Sequence, residues 1–201
     1  MKSLIQSDPV GLPGLAALAG GVLLFFLALA AARYRATRAG SVADARSNRA
    51  SWIWIGVQGI GIAIAGAGRI DASLDPLSSR AIAEGAVVLM LMIAVVALFH
   101  ASSRRMGKNW SLVARTREDH ELVQSGPFAV VRHPIYVALF LFLIAMAIAY
   151  GHTRQLFLAV PVYAAATWMR VRHEEWLLRA QFGTDYDAYA RRVKRFVPGL
   201  F

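Results

Sequence analysis

Apolar residues along this chain fall in long unbroken runs, not in the short alternations of half-buried strands or surface helices. Residues 10–32 carry no charge, and neither do residues 52–68. Residues 82–99 are interrupted only by Glu84, and residues 134–150 are rich in Leu, Ile, Phe and Ala. A final run, 155–169, is shorter. A hydrocarbon layer about 30 Å thick needs roughly 20 apolar residues as helix. The pattern therefore predicts an all-α integral membrane protein, a single domain over residues 1–201, with five transmembrane helices. At about 1.5 Å per residue the fifth falls short of full thickness and thins the bilayer or crosses it incompletely. His152-Thr153-Arg154 leaves room only for a tight turn, so helices four and five form a hairpin.

Two long polar pieces stand outside the runs. Residues 100–133 join helices three and four and are far longer than a bundle connection needs. Residues 170–201 are too aromatic for a disordered tail. Within them a helix is predicted over 174–192 with Gly183 as a break. Trp176, Leu177, Ala180 and Phe182 form one apolar side, and Tyr186, Tyr189 and Val193 another. Such a segment packs under a bundle or lies in the interface.

Composition agrees with the runs: 57% of residues are apolar, 17% are charged, and mean hydropathy is +0.48. The net charge of +10 invites a nucleic-acid reading until its placement is considered. Of 22 Lys and Arg, 18 lie in 33–51, 100–133 and 170–201. Only Lys2, Arg69, Arg80 and Arg154 fall on the other side. That asymmetry is a topology signal, with the N-terminus outside and the C-terminus in the cytosol of a cell (inner) membrane protein. Nucleic acid is thereby excluded as a partner. Ala28-Leu29-Ala30 offers a signal-peptide-like cleavage position, yet the run is long for a signal peptide and the arginines behind it mark it as an anchor. No prenylation motif closes the chain. Zero Cys removes thiolate chemistry, and five His without paired spacing predict no metal site.

Candidate chemistry concentrates in two strings. The first is His120-Glu121-Leu122-Val123-Gln124-Ser125-Gly126-Pro127-Phe128, followed by Arg132-His133-Pro134-Ile135-Tyr136. Gly-Pro forces a turn, and Pro134 opens helix four where a missing N–H costs nothing. His133 then sits near the N-cap, beside free N–H groups suited to an anion, with Tyr136 on the first turn. The second string is Arg170-Val171-Arg172-His173-Glu174-Glu175, in which Arg170 and Glu174 share a helix face and can pair. Both strings leave the same hairpin on the same side. By contrast, Gly56, Gly59 and Gly61, with Gly66 and Gly68, lack a preceding strand and read as helix-packing positions, not a dinucleotide loop. Glu84 reads as an interfacial acid, and His100 as a polar cap ending helix three.

Taken as an ordered set, these strings resemble the isoprenylcysteine carboxyl methyltransferase family, which belongs with membrane phospholipid methyltransferases. The set includes Glu174-Glu175 with Leu178, Phe182-Gly183, Tyr186, Tyr189 and Pro198, and covers about ninety residues. The resemblance implies S-adenosylmethionine bound between the start of helix four and the C-terminal segment. His120, Glu121, Leu122, Val123, Phe128, His133, Pro134, Ile135, Tyr136 and Glu174 would line that cofactor pocket. Arg170 would face the methyl acceptor, and Arg170 and Glu174 would be the catalytic residues. Phe128 stands where many members carry Tyr, which removes a hydroxyl and keeps the stacking surface. A polar residue common just before the His-x-Leu-Val string is replaced near residues 113–115.

The resulting expectation is a multi-pass S-adenosylmethionine-dependent methyltransferase for a lipophilic or lipid acceptor, most like prenylcysteine carboxyl O-methylation. A carboxylate acceptor is already ionised and needs no base, whereas an amine or thiol would call on Glu174 or His133. Phospholipid amines and small thiols are the alternative acceptors. A nicotinamide-dependent sterol-type reductase and a non-catalytic membrane protein are rivals of other classes. No residue pattern names a protein partner. The charge partition generates one prediction: reporter fusions at residue 201 and in loop 33–51 will both report the cytosol, and an external residue 201 would refute the topology.

Overall fold

The computed structural model describes residues 7–38, 49–107, 110 and 121–200. Among the described residues five α-helices make up the fold: α1 Leu12–Arg38, α2 Arg49–Gly66, α3 Ser79–Met106, α4 Pro134–Ala149 and α5 Leu156–Arg192. Among the described residues there is no strand, only an isolated parallel bridge between Val131 and Lys194. α1 and α3, at 27 and 28 residues, are long and apolar enough to cross a membrane. α2 and α4 are shorter apolar helices.

Local sequence sets the boundaries. Ser78 caps α3, its hydroxyl accepting from the Ala81 N–H at 3.2 Å. α3 runs on to Met106, so the predicted connection at residue 100 starts later and His100 lies inside the helix. A hydropathy run ends where charges begin, but a helix needs a breaker, and Gly107 is the first. The same logic corrects helix five. Its apolar run stops at Met169, yet α5 continues unbroken to Gly183, whose φ of 51° and ψ of −123° kink it. Residues 170–182 hold no breaker, so span and tail helix are one element. Only glycine takes that backbone conformation freely.

α4 is the shared core helix. With α1 and α3 it encloses Leu18, Val88, Met92, Val95 and Ala145, and nearer its start Ala138 meets Ala28, Ala32, Phe99 and Trp110. With α2 and α5 it encloses Ala65, Leu143, Ala147, Ala159 and Tyr163. Helices four and five are joined by the predicted turn, but they splay. α5 packs chiefly on α2, and α4 chiefly on α3. The turn contains a 3₁₀ segment, Thr153–Gln155, and its residues are held by neighbours at that end. Arg154 pairs with Asp8 at 2.9 Å, and His152 meets the Arg69 carbonyl at 3.1 Å. Arg80 pairs with Glu84 at the same end, as an interfacial acid would. α1 and α2 barely touch, although they are consecutive.

Antiparallel packing of α2 on α5 depends on small residues. A Cβ at Gly61 would lie 2.9 Å from the Tyr163 backbone nitrogen, whereas one at Gly56 would meet nothing. The packing role predicted for the glycine run therefore falls on Gly61. Gly61→Ala should force the helices apart and lower stability by about 1–3 kcal/mol. Gly56→Ala should leave it unchanged or slightly raised. Thermal melting of both variants in detergent checks this, and equal melting temperatures would refute it.

Candidate active site

The loop before α4 and the end of α5 are sewn together. Residues 126–129 form a 3₁₀ turn that buries Phe128, and Tyr189 donates to the Phe128 carbonyl at 2.7 Å. The Arg132 N–H donates to the Lys194 carbonyl at 2.8 Å and the His133 N–H to the Arg195 carbonyl at 3.0 Å. Burial pushes the Tyr189 hydroxyl up to about 12, so it stays a donor at any ordinary pH.

Glu175 stands at the centre of this seam and is only 1% exposed. Arg132 donates to its carboxylate at 2.9 Å, and Arg195 approaches both oxygens, at 2.9 and 2.7 Å. His133 Nε2 lies 3.3 Å away. Arg132 also donates to the carbonyls of Ala190 and Val193. Hydrogen bonding to Glu175 holds the Arg195 guanidinium above its ordinary value. Arg132, which alone reads as a basic membrane flank, is therefore a buried structural cation.

His133 does occupy the N-cap position of α4, but its side chain makes no capping hydrogen bond. The ring instead sits between two carboxylates, with Nδ1 3.6 Å from Glu174 and Nε2 against Glu175. The neighbouring acids, not the helix N–H groups, are the polar groups it meets. Tyr136 donates its hydroxyl to Glu174 and presents its ring face to Arg170, whose guanidinium carbon lies 5.0 Å from the ring centre. Arg170 donates to Gln58 on α2 at 2.7 Å. Arg170 and Glu174 are thus linked through Tyr136, one on its face and one on its hydroxyl.

Above these groups lies a cavity of about 440 Å³, within the range of about 300–1,000 Å³ that holds small molecules. Glu121, Leu122, Val123, Phe128, His133, Pro134, Ile135, Tyr136, Arg170 and Glu174 all line it. His120 lies outside the described residues, as do residues 113–115. Phe25, Leu29, Trp52, Ile55 and Ile62 of α1 and α2 form an apolar wall. Sequence reasoning missed three further residues here. Gln58 was hidden in an uncharged run. Glu175 was indistinguishable from Glu174 by type, and Tyr186 was counted only as an apolar contact. The Tyr186 hydroxyl is buried beside the cavity and has no hydrogen-bond partner among the described residues. Trp176, on the predicted apolar side, is 62% exposed and stacks on His173.

Removing the central charge should be costly. Glu175→Gln leaves Arg132 buried opposite a neutral amide, and breaking such a pair destabilises by about 3–5 kcal/mol. Thermal melting in detergent should show a fall of several degrees. An unchanged melting temperature would mean the seam is held by its backbone bonds alone.

Comparison with known proteins adds a family to this geometry. A nickel-cobalt-cadmium resistance protein, NccN, of Alcaligenes xylosoxydans xylosoxydans is 31% identical over 109 residues, covering 52% of this chain and 49% of its own. The protein-S-isoprenylcysteine O-methyltransferase of Schizosaccharomyces pombe is 29% identical over 91 residues, 43% of this chain and 37% of that protein. The one of Tribolium castaneum is 36% identical over 84 residues, 40% and 28% respectively. The chain thus spans half or less of the length of these relatives. The model of the phospholipid methyltransferase family matches residues 83–185, from α3 through the C-terminal half of the site. With just over half of its length matched in this way, the chain belongs to the phospholipid methyltransferase family.

Proposed function

We propose that this protein is an integral membrane methyltransferase using S-adenosylmethionine, with its site at the cytosolic face, acting on a lipophilic acceptor of the prenylcysteine carboxylate type. One observation carries the reading. One cavity is lined both by polar, ionisable groups from the family-matched part and by an apolar wall from α1 and α2. Such a cavity suits a polar cofactor beside a lipid-like acceptor.

The residues present fit the cofactor. Glu121 and Glu174 offer carboxylates to cationic and hydroxyl groups, Phe128 a ring for stacking, and Tyr186 a buried hydroxyl with no partner among the described residues. When bound, S-adenosylmethionine supplies a methyl group activated on a sulfonium. The chain's own residues then have orienting work to do. Tyr136 fixes Glu174 through its hydroxyl, and His133 is held from turning by Glu175. Arg170, spread on the Tyr136 ring, faces the acceptor side, where it would orient a carboxylate and limit the loss of its hydration. Displacement at a methyl group gains most from positioning and exclusion of water. No base is needed for an acceptor already ionised at neutral pH.

The membrane placement follows from the helices and the basic ends. The ends of α1 and α3 on the site's side carry Arg33, Arg35, Arg38, Arg104 and Arg105, with Arg35 donating to Ser103 at 3.2 Å. On this reading Arg170 directly follows the apolar run 155–169 and reaches Gln58 within the apolar run of α2. An arginine tied to a polar group inside a membrane segment is functional by default.

The test is transfer of labelled methyl from S-adenosylmethionine to N-acetyl-S-farnesylcysteine by the detergent-solubilised protein. Phosphatidylethanolamine and a small thiol serve as competing acceptors. Glu174→Gln should weaken cofactor binding about 10-fold or more, while Arg170→Ala should mainly lower turnover of the acceptor. Titration calorimetry and steady-state kinetics, with each substrate varied separately, measure the two effects. A protein that does not bind S-adenosylmethionine would overturn the reading.

A further inference from the structure

Gln58 is the polar residue that the sequence gives least reason to notice. It sits mid-way along α2, in an uncharged run, 3% exposed. A buried amide among hydrocarbon is unfavourable unless its groups are bonded, and here both ends of the side chain are. Its Nε2 donates to the Thr167 hydroxyl at 2.7 Å, and its Oε1 accepts from Arg170 at 2.7 Å. The two contacts fix the amide's orientation without ambiguity. Arginine has only donors, so the oxygen must face Arg170, and the nitrogen must then face Thr167.

Thr167 and Arg170 are three residues apart on α5 and so share a face. Gln58 reaches across from α2 and ties both. Arg170 is held from two directions: the amide oxygen at its end, and the Tyr136 ring beneath it. An arginine side chain otherwise has large rotamer freedom, and its planar fork recognises a carboxylate only when correctly aimed. Gln58 also borders the cavity, among Ile55, Gly59 and Ile62, on the apolar wall. The family match begins at residue 83, so Gln58 and all of α2 fall outside it.

We infer that Gln58 is a positioning residue that aims Arg170 at the acceptor and thereby makes the site select a lipophilic acceptor with an anionic head over a neutral one. This rests on the methyltransferase reading above and deepens it. Gln58 itself touches no reacting atom. It acts through the direction in which Arg170 presents its charge. The apolar wall accepts the greasy part of either kind of acceptor, so discrimination between heads falls to Arg170.

The experiment compares binding of N-acetyl-S-farnesylcysteine with binding of its uncharged carboxamide, in wild type, Gln58→Met and Thr167→Val. Titration with S-adenosylmethionine is run alongside. Wild type should prefer the acid by about 10–100-fold, the worth of a hydrogen-bonded charge contact. Gln58→Met fills similar volume without the amide, and the preference should fall towards unity while cofactor affinity stays within about twofold. Thr167→Val keeps Gln58 but frees its amide to turn, and should lower the same ratio partway. It also decides the matter should Gln58→Met fail to fold. A ratio preserved in the variants, with only a lower melting temperature, would overturn the inference and leave the methyltransferase reading intact. Equal binding of acid and amide by wild type would also overturn it, since Arg170 would not be reading charge. A wild type binding neither acceptor nor cofactor would sink both readings.

Discussion

A carboxylate buried between two guanidinium groups is the interaction on which this structure turns. Glu175 is almost wholly removed from solvent, and Arg132, Arg195 and His133 close around it. Any one of these charges alone would be strongly unfavourable at such a place. Together they join the loop before α4, the body of α5 and the segment after it. The backbone pairing of residues 131–133 with 194–195 runs alongside. The wall of the cavity at Phe128 and His133 follows from that seam: Phe128 is held by Tyr189, and His133 is kept facing the carboxylates. That wall is thus inherited from a structural knot behind it.

How far the sequence disclosed this depends on what each residue needs in order to be recognised. The His133-Pro134-Ile135-Tyr136 string was legible because Pro134 can only open a helix, which fixes where its neighbours stand. All the candidate site residues among those described do line one cavity. Glu174 and Glu175 show the limit. Adjacent helical residues differ by about 100° in direction, so one carboxylate faces the cavity and the other the seam. Nothing in their shared type says which is which. That choice is made by Arg195, twenty residues further on, beyond the Gly183 kink. Gln58 was invisible for a different reason: its partners lie more than a hundred residues away, and an uncharged amide leaves a hydropathy run unbroken.

Helix ends teach the same lesson in simpler form. Hydropathy reports where lipid would be tolerated, and helices stop where a backbone breaker occurs. The two agree for α4, which ends within a residue of its apolar run, and disagree for α3 and α5, which run on into charged sequence. The longer α5 is what carries Glu174 to the cavity and Glu175 to the seam in rigid register with Arg170. A shorter helix would have left these groups on separate segments, and their relative placement would rest on loop conformations.

The order of residues in the seam has a consequence for how the molecule is made. Arg132 leaves the ribosome first, Glu175 follows 43 residues later, and Arg195 comes 20 residues after that. Until the last arrives, Glu175 has only part of its neutralising shell, and the loop before α4 has no backbone to pair with. A chain that stops short of residue 194 therefore lacks both the second guanidinium at Glu175 and the backbone partners of Arg132 and His133. The wall they support is completed only by the last-made part of the seam.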